Sequence, residues 1–118
     1  MNVHMYQTAG GKNLIKLFLD ELPARESAEG YFILESLEQE GLIFLENLNT
    51  RQIERKLWEI KYPRHNRIFY VLFDEDNIYL LHACKKQKGK AEKFELEKAR
   101  NRMKEIEWNF TLKSKIGG

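Results

Sequence analysis

The order of apolar periods along the chain predicts an α+β fold, in which helices pack against one antiparallel sheet. Apolar residues recur at helical spacing through 13–39 and again after residue 95, whereas 57–85 holds runs rich in aromatic, β-branched and aliphatic residues separated by short polar connectors. A chain of 118 residues can bury one core without disulfide or metal support, so a single domain over 1–118 is expected.

Residues 2–8, NVHMYQT, alternate loosely and meet Ala9-Gly10-Gly11, which predicts a short edge strand ended by a turn. Asn13 is a candidate N-cap, and Leu14, Leu17, Phe18 and Leu22 give one helix that stops at Pro23, since proline disfavours helical geometry in the residue before it. A second helix runs from about Ala24 to Gln39, with Tyr31, Ile33, Leu34 and Leu37 as its stripe and Gly41 as its stop. Residues 42–48, LIFLENL, fit either a short helix or an extended segment, and a short helical turn is the favoured reading. The runs Leu57–Tyr62, Arg67–Asp74 and Ile78–Lys85, joined by PRHN and DEDN, predict an antiparallel meander with IFYVLF as its central strand. Leu96, Ala99, Met103, Ile106 and Phe110 then mark a long amphipathic helix, followed by a tail over 113–118 expected to fray.

The formal net charge of +2 hides a strong polarity. Residues 1–50 carry 3 Lys/Arg against 8 Asp/Glu, residues 51–81 carry 6 against 5, and residues 82–118 carry 11 against 5. A cationic block of this kind attracts polyanions whatever the total charge, although a solvated Lys/Glu-rich helix face has the same composition. The lone Cys84 permits no internal disulfide and suits a reducing cytoplasm. No targeting segment and no apolar run long enough to span a bilayer is read from the sequence, so a soluble protein is expected.

The element order, together with LWEIKY, RIFYVLF, NIYLLHACKKQKGK and EKARNRMKEI, resembles the HigB-like branch of the RelE/ParE toxin superfamily, often found in phage-derived genes. The matching positions are Leu57–Lys61, Arg67, His82 with Lys85 and Lys86, and Glu95, Ala99 and Arg102. The resemblance implies a RelE-like fold and the toxin of a type II toxin–antitoxin pair: a ribosome-dependent endoribonuclease that cuts mRNA and is silenced by an antitoxin of the helix-turn-helix type, itself the contact to operator DNA. Two other readings share the fold, namely a ParE-like toxin that inhibits gyrase and a catalytically degenerate protein that only binds antitoxin.

Metal-free RNA cleavage uses the substrate's 2′-OH as nucleophile and needs a proton acceptor, cations for the phosphorane-like state and a proton donor to the leaving oxygen. Arg67 opens the central strand and Lys85 and Lys86 close its neighbour, so antiparallel pairing is expected to bring them together on one phosphate. Arg67 is the candidate clamp, a surface residue whose removal would spare the fold, or else a strand-end arginine paired with an acid. Lys61 and Lys86 are candidate transition-state cations, and Lys85, Lys88, Lys90, Arg64 and His65 candidate RNA contacts. Glu59 and Lys61 share a strand face, as proton acceptor and cation or as an ion pair. His82 is a candidate acid or base, yet its parity with Ile78 and Leu80 favours a hydrogen-bonded core histidine. Tyr62 and Tyr70, with Trp58, could stack a base, although strand aromatics more often belong to the core, the favoured reading for Trp58. Relatives carry a Tyr or His near the start of the last helix or at the C-terminus as a proton-transfer group, and none follows His82 here. No metal or organic cofactor is expected, since the histidines and the cysteine show no ligand spacing in sequence and DEDN reads as an acidic turn.

Overall fold

The alternating run 57–85 becomes the middle of a five-stranded sheet. In the computed structural model the described residues run from Met1 to Ile116, with side chains described through Asn109. The Phe110 side chain, and the side chains and last two residues of the expected frayed tail, lie outside them. The elements in chain order are β1 (Asn2–Met5), α1 (Leu14–Glu21), α2 (Ala24–Glu40), α3 (Leu42–Asn47), β2 (Thr50–Glu54), β3 (Leu57–Tyr62), β4 (Asn66–Asp74), β5 (Asn77–Lys85) and α4 (Gly89–Ile116). The α+β class holds, and the architecture is that of a RelE-like fold.

The sheet order is β1-β5-β4-β3-β2. The three central strands form the expected meander, with Lys61 opposite Arg67 and Arg67 opposite Cys84. Two features depart from the sequence expectation. β1 pairs parallel with β5, from Asn2 opposite Asn77 to Met5 opposite Leu80, so the sheet is mixed and not purely antiparallel. Alternation in four residues identifies a strand but says nothing of its direction, which here follows from the helices that carry the chain from one sheet edge to the other. β2 was not expected, because TRQIE is mostly polar, with Arg51 and Gln52 exposed. It is an edge strand, and charged side chains are what keep such an edge from pairing with another chain.

The helices divide between the two faces. On one, α1–α3 cover Ile60, Tyr62, Ile68, Tyr70, Ile78, Leu80 and Ala83. On the other, α4 lays Ala99, Leu96, Met103 and Ile106 over Leu57, Phe69, Val71, Leu81 and Cys84. The register shift between Phe69 and Tyr70 leaves Leu81 as the extra residue of β5 and puts Leu81 and His82 on the same α4 face, so the simple period of two breaks there.

Local chemistry sets the helix ends. Asn13 caps α1 by accepting a 3.0 Å bond from the Lys16 amide. Gly41, at φ 64°, turns the chain between α2 and α3 in a region that side chains disfavour. Gly30 allows close approach, because a Cβ there would lie 2.5 Å from Leu19 Cδ2 and 2.8 Å from the Tyr62 hydroxyl. That contact seats α2 against the end of β3, one turn after Glu26.

Candidate functional site

Where β3 ends, β4 begins and β5 ends, the surface opens into a cleft of about 470 Å³. Arg51, Lys61, Arg64, His65, Arg67 and Lys86 line it, with Glu59 as its carboxylate and Asn49, Tyr62, Pro63 and Asn66 completing the wall. Most of this lining is the β3–β4 turn and its flanks. Arg64 and His65 both have positive φ, 24° and 64°. For residues with a Cβ this costs on the order of 1–2 kcal/mol each and persists only where surrounding structure enforces it.

The cations fall into two groups. Arg51 and Arg67 both pair with Glu59, which is fully buried, and Arg67 Nη1 also reaches both oxygens of Glu92 at 2.9 and 2.7 Å. Lys61, Arg64 and Lys86 have no side-chain hydrogen bond or ion pair among the described residues, and His65 is exposed beside them. These four can meet an anion without breaking an internal contact.

Two expectations are corrected. Arg67 is not a surface residue: it is 2 % exposed, lies over the Phe69 ring and is locked between two carboxylates. Lys85 does not converge with Arg67, because adjacent residues of β5 point to opposite faces. Its ammonium bonds Glu26 and the Arg64 carbonyl on the α2 side, while Arg67 faces α4. The core reading of the strand aromatics holds: Tyr62 and Tyr70 are buried and offer no face to a base, and Trp58 is partly buried against the same core. Burial pushes both tyrosine hydroxyls up to about 12. Lys88 and Lys90 are exposed in the connector and first turn of α4 but do not line the cleft.

The model of the Gp49-like phage-derived protein family (DUF891) matches residues 17–104. The chain belongs to this family. The family is associated with RelE-like toxins of toxin–antitoxin pairs. No curated protein matches the chain.

In this Gp49-like chain His82 lies outside the cleft, stacked on Phe69 under α4. Arg102 donates to its Nδ1 at 3.0 Å, so the neutral ring carries its proton on Nε2, which donates to Glu95. Burial lowers the His82 pKa; Glu95 opposes that shift and Arg102 and Lys98 add to it. A His82 ring nitrogen, Cys84 Sγ and a Glu95 oxygen lie within 4.8 Å of one another, a donor set that no sequence spacing revealed. The Arg102 bond opposes metal binding there, since a ring metallated at Nε2 would present a proton or a strained anion at Nδ1 to a guanidinium that can only donate. Burial also pushes the Cys84 thiol up to about 12, away from the thiolate that metals need.

The sequence reading missed Arg51, Glu92, Glu26 and Asn66. Arg51 was lost with β2. Glu26 did leave a signal, because it shares the buried face of α2 with Gly30, Ile33 and Leu37, and a lone charge in such a stripe needs a partner.

Proposed function

We propose that this chain is the toxin of a type II toxin–antitoxin pair, a HigB-like, ribosome-dependent endoribonuclease that cuts mRNA in the cytoplasm and is silenced by a cognate antitoxin of the helix-turn-helix type. The observation that carries this reading is the cleft itself: Lys61, Arg64 and Lys86 unpaired among the described residues, with the His65 imidazole beside them. Phosphate backbones are bound by such cations, and charge developing at phosphorus is stabilised by them.

In this reading the 2′-oxygen forms a bond to phosphorus as the 5′-oxygen leaves, giving a 2′,3′-cyclic phosphate and a 5′-hydroxyl. His65 accepts the 2′-OH proton, and Lys86 donates to the 5′-oxygen with Lys61 beside it. A lysine ammonium carries three N–H donors and can hand one proton to the departing oxygen. Glu59 and His82, both buried and paired, hold the cations and α4 in place and do not themselves move protons. Arg67 joins the phosphate only when Glu92 releases it, and Lys88 and Lys90 track the RNA outside the cleft.

The test is to induce the protein in cells and map 5′ ends on translated and untranslated copies of one transcript. Cuts confined to the translated copy are expected. Growth arrest without cuts would favour a gyrase-inhibiting toxin, and absence of both a degenerate one.

A further inference from the structure

The β3–β4 turn holds two consecutive residues in a backbone region that side chains avoid, and both belong to the cleft. Something must enforce that shape, since the turn has no glycine. Three side chains behind it do so. Asn66 is fully buried, and its amide nitrogen donates to the Pro63 carbonyl at 2.9 Å and to Glu26 Oε1 at 2.8 Å. Lys85 bonds the same Glu26 oxygen and donates to the Arg64 carbonyl at 3.0 Å. A backbone bond from the Lys86 amide to the His65 carbonyl, 2.8 Å, closes the ring of contacts. Each carbonyl from Pro63 to His65 is thereby held, and the side chains of Arg64 and His65 are left for the cleft.

We propose that Glu26, Asn66 and Lys85 are positioning residues for the RNA site: α2, the acidic helix on the far side of the sheet, sets the shape of the turn that presents Arg64 and His65. This rests on the nuclease reading for its consequence but not for its geometry. Glu26 is the hub because it alone accepts from both partners, and Gly30 one turn later fixes its height against β3. The Lys85 ammonium, then the Asn66 amide, hold the Glu26 carboxyl below its ordinary range, so it stays ionised for this duty at neutral pH.

The experiment compares wild type with Glu26→Ala, Glu26→Gln, Asn66→Ala and Lys85→Met in three readouts. Amide exchange at Lys86 reports closure of the turn, inorganic phosphate titrated against the His65 ring signal reports the site, and translation-dependent cleavage reports function. Glu26→Ala and Asn66→Ala should speed Lys86 exchange and weaken phosphate binding. They should also lower the maximal cleavage rate by roughly 30-fold with little change in KM, since misplacement by about 1 Å costs up to about 100-fold. Glu26→Gln, which still accepts from Asn66, should stay within about 3-fold of wild type, a rescue that mere loss of packing would not show. Unchanged Lys86 exchange in both alanine variants, or faster exchange with wild-type phosphate binding and cleavage, overturns the proposal. If the wild type proves not to cut RNA, exchange and phosphate binding still decide it. If Asn66→Ala does not fold, Lys85→Met, at a partly exposed side chain, takes its place and is expected to show the same faster exchange and weaker phosphate binding.

Discussion

Two groups of basic side chains sit at neighbouring places on this sheet and have opposite fates. Under α4, Arg67 is held by Glu59 and Glu92, and Arg102 and His82 form a chain to Glu95. At the β3–β4 turn, Lys61, Arg64 and Lys86 have no such partners among the described residues. A count of positive residues therefore overstates the charge a ligand can use. Cations that cross to α4 meet its first two turns, where Glu92 and Glu95 lie, and are neutralised. Those at the strand ends are not.

The comparison can be broken most forcefully at its buried member. Arg67→Ala leaves Glu59 fully buried with only a half-exposed Arg51, and losing one partner of a buried pair costs about 3–5 kcal/mol. For a domain of this size that is roughly 10–25 °C in Tm, read by a thermal melt. A melt unchanged within about 2 °C would show that Arg67 is not part of the scaffold.

The free group should behave in the opposite way. Alanine at Lys61, Arg64 and Lys86 together should shift stability by less than about 1 kcal/mol, as surface substitutions do. It should also reduce the slope of log affinity against log salt for a single-stranded RNA by about 2, at roughly 0.7 per phosphate contact. An unaltered slope would move the RNA elsewhere.

A smaller effect separates the groups by linkage. Glu92→Gln removes the less buried of the two carboxylates on Arg67, so one positive charge is returned to the cleft. Phosphate affinity should rise by about 3- to 10-fold, because surface-region charge pairs are worth about 1 kcal/mol. No rise would mean that Arg67 stays closed to anions with or without Glu92.

The smallest effect is in pH. The folded-state pKa of His82 lies below its ordinary 6.5 because of burial. The neutral ring therefore contributes stability that is complete above that ordinary value and is lost as pH falls through 6.5 to the lower folded value. Tm should fall over this window in wild type and fall less in His82→Gln, measured side by side.

Much of this arrangement was legible beforehand. Asn13 as a cap, Pro23 and Gly41 as breaks, and the three meander strands all followed from local chemistry that the fold did not override. Arg64, His65, Lys61 and Lys86 were legible as site candidates because strand ends and turns place side chains at a surface. What was illegible depended on a second segment. Lys85 and Lys86 are identical in sequence terms, yet β-strand alternation sends one behind the sheet to Glu26 and the other into the cleft. Arg67 looked like a clamp because nothing near it in sequence announced Glu92, 25 residues on. The bulge at Phe69 and Tyr70 removed His82 from the face that its parity with Leu80 implied.

The most direct test is in vitro translation of one reporter with purified wild type and with the Lys61, Arg64 and Lys86 triple-alanine variant, both checked for equal Tm, reading reporter 5′ ends. Translation-dependent cuts are expected with wild type and are lost in the equally stable variant. Equal cutting by both proteins would contradict it.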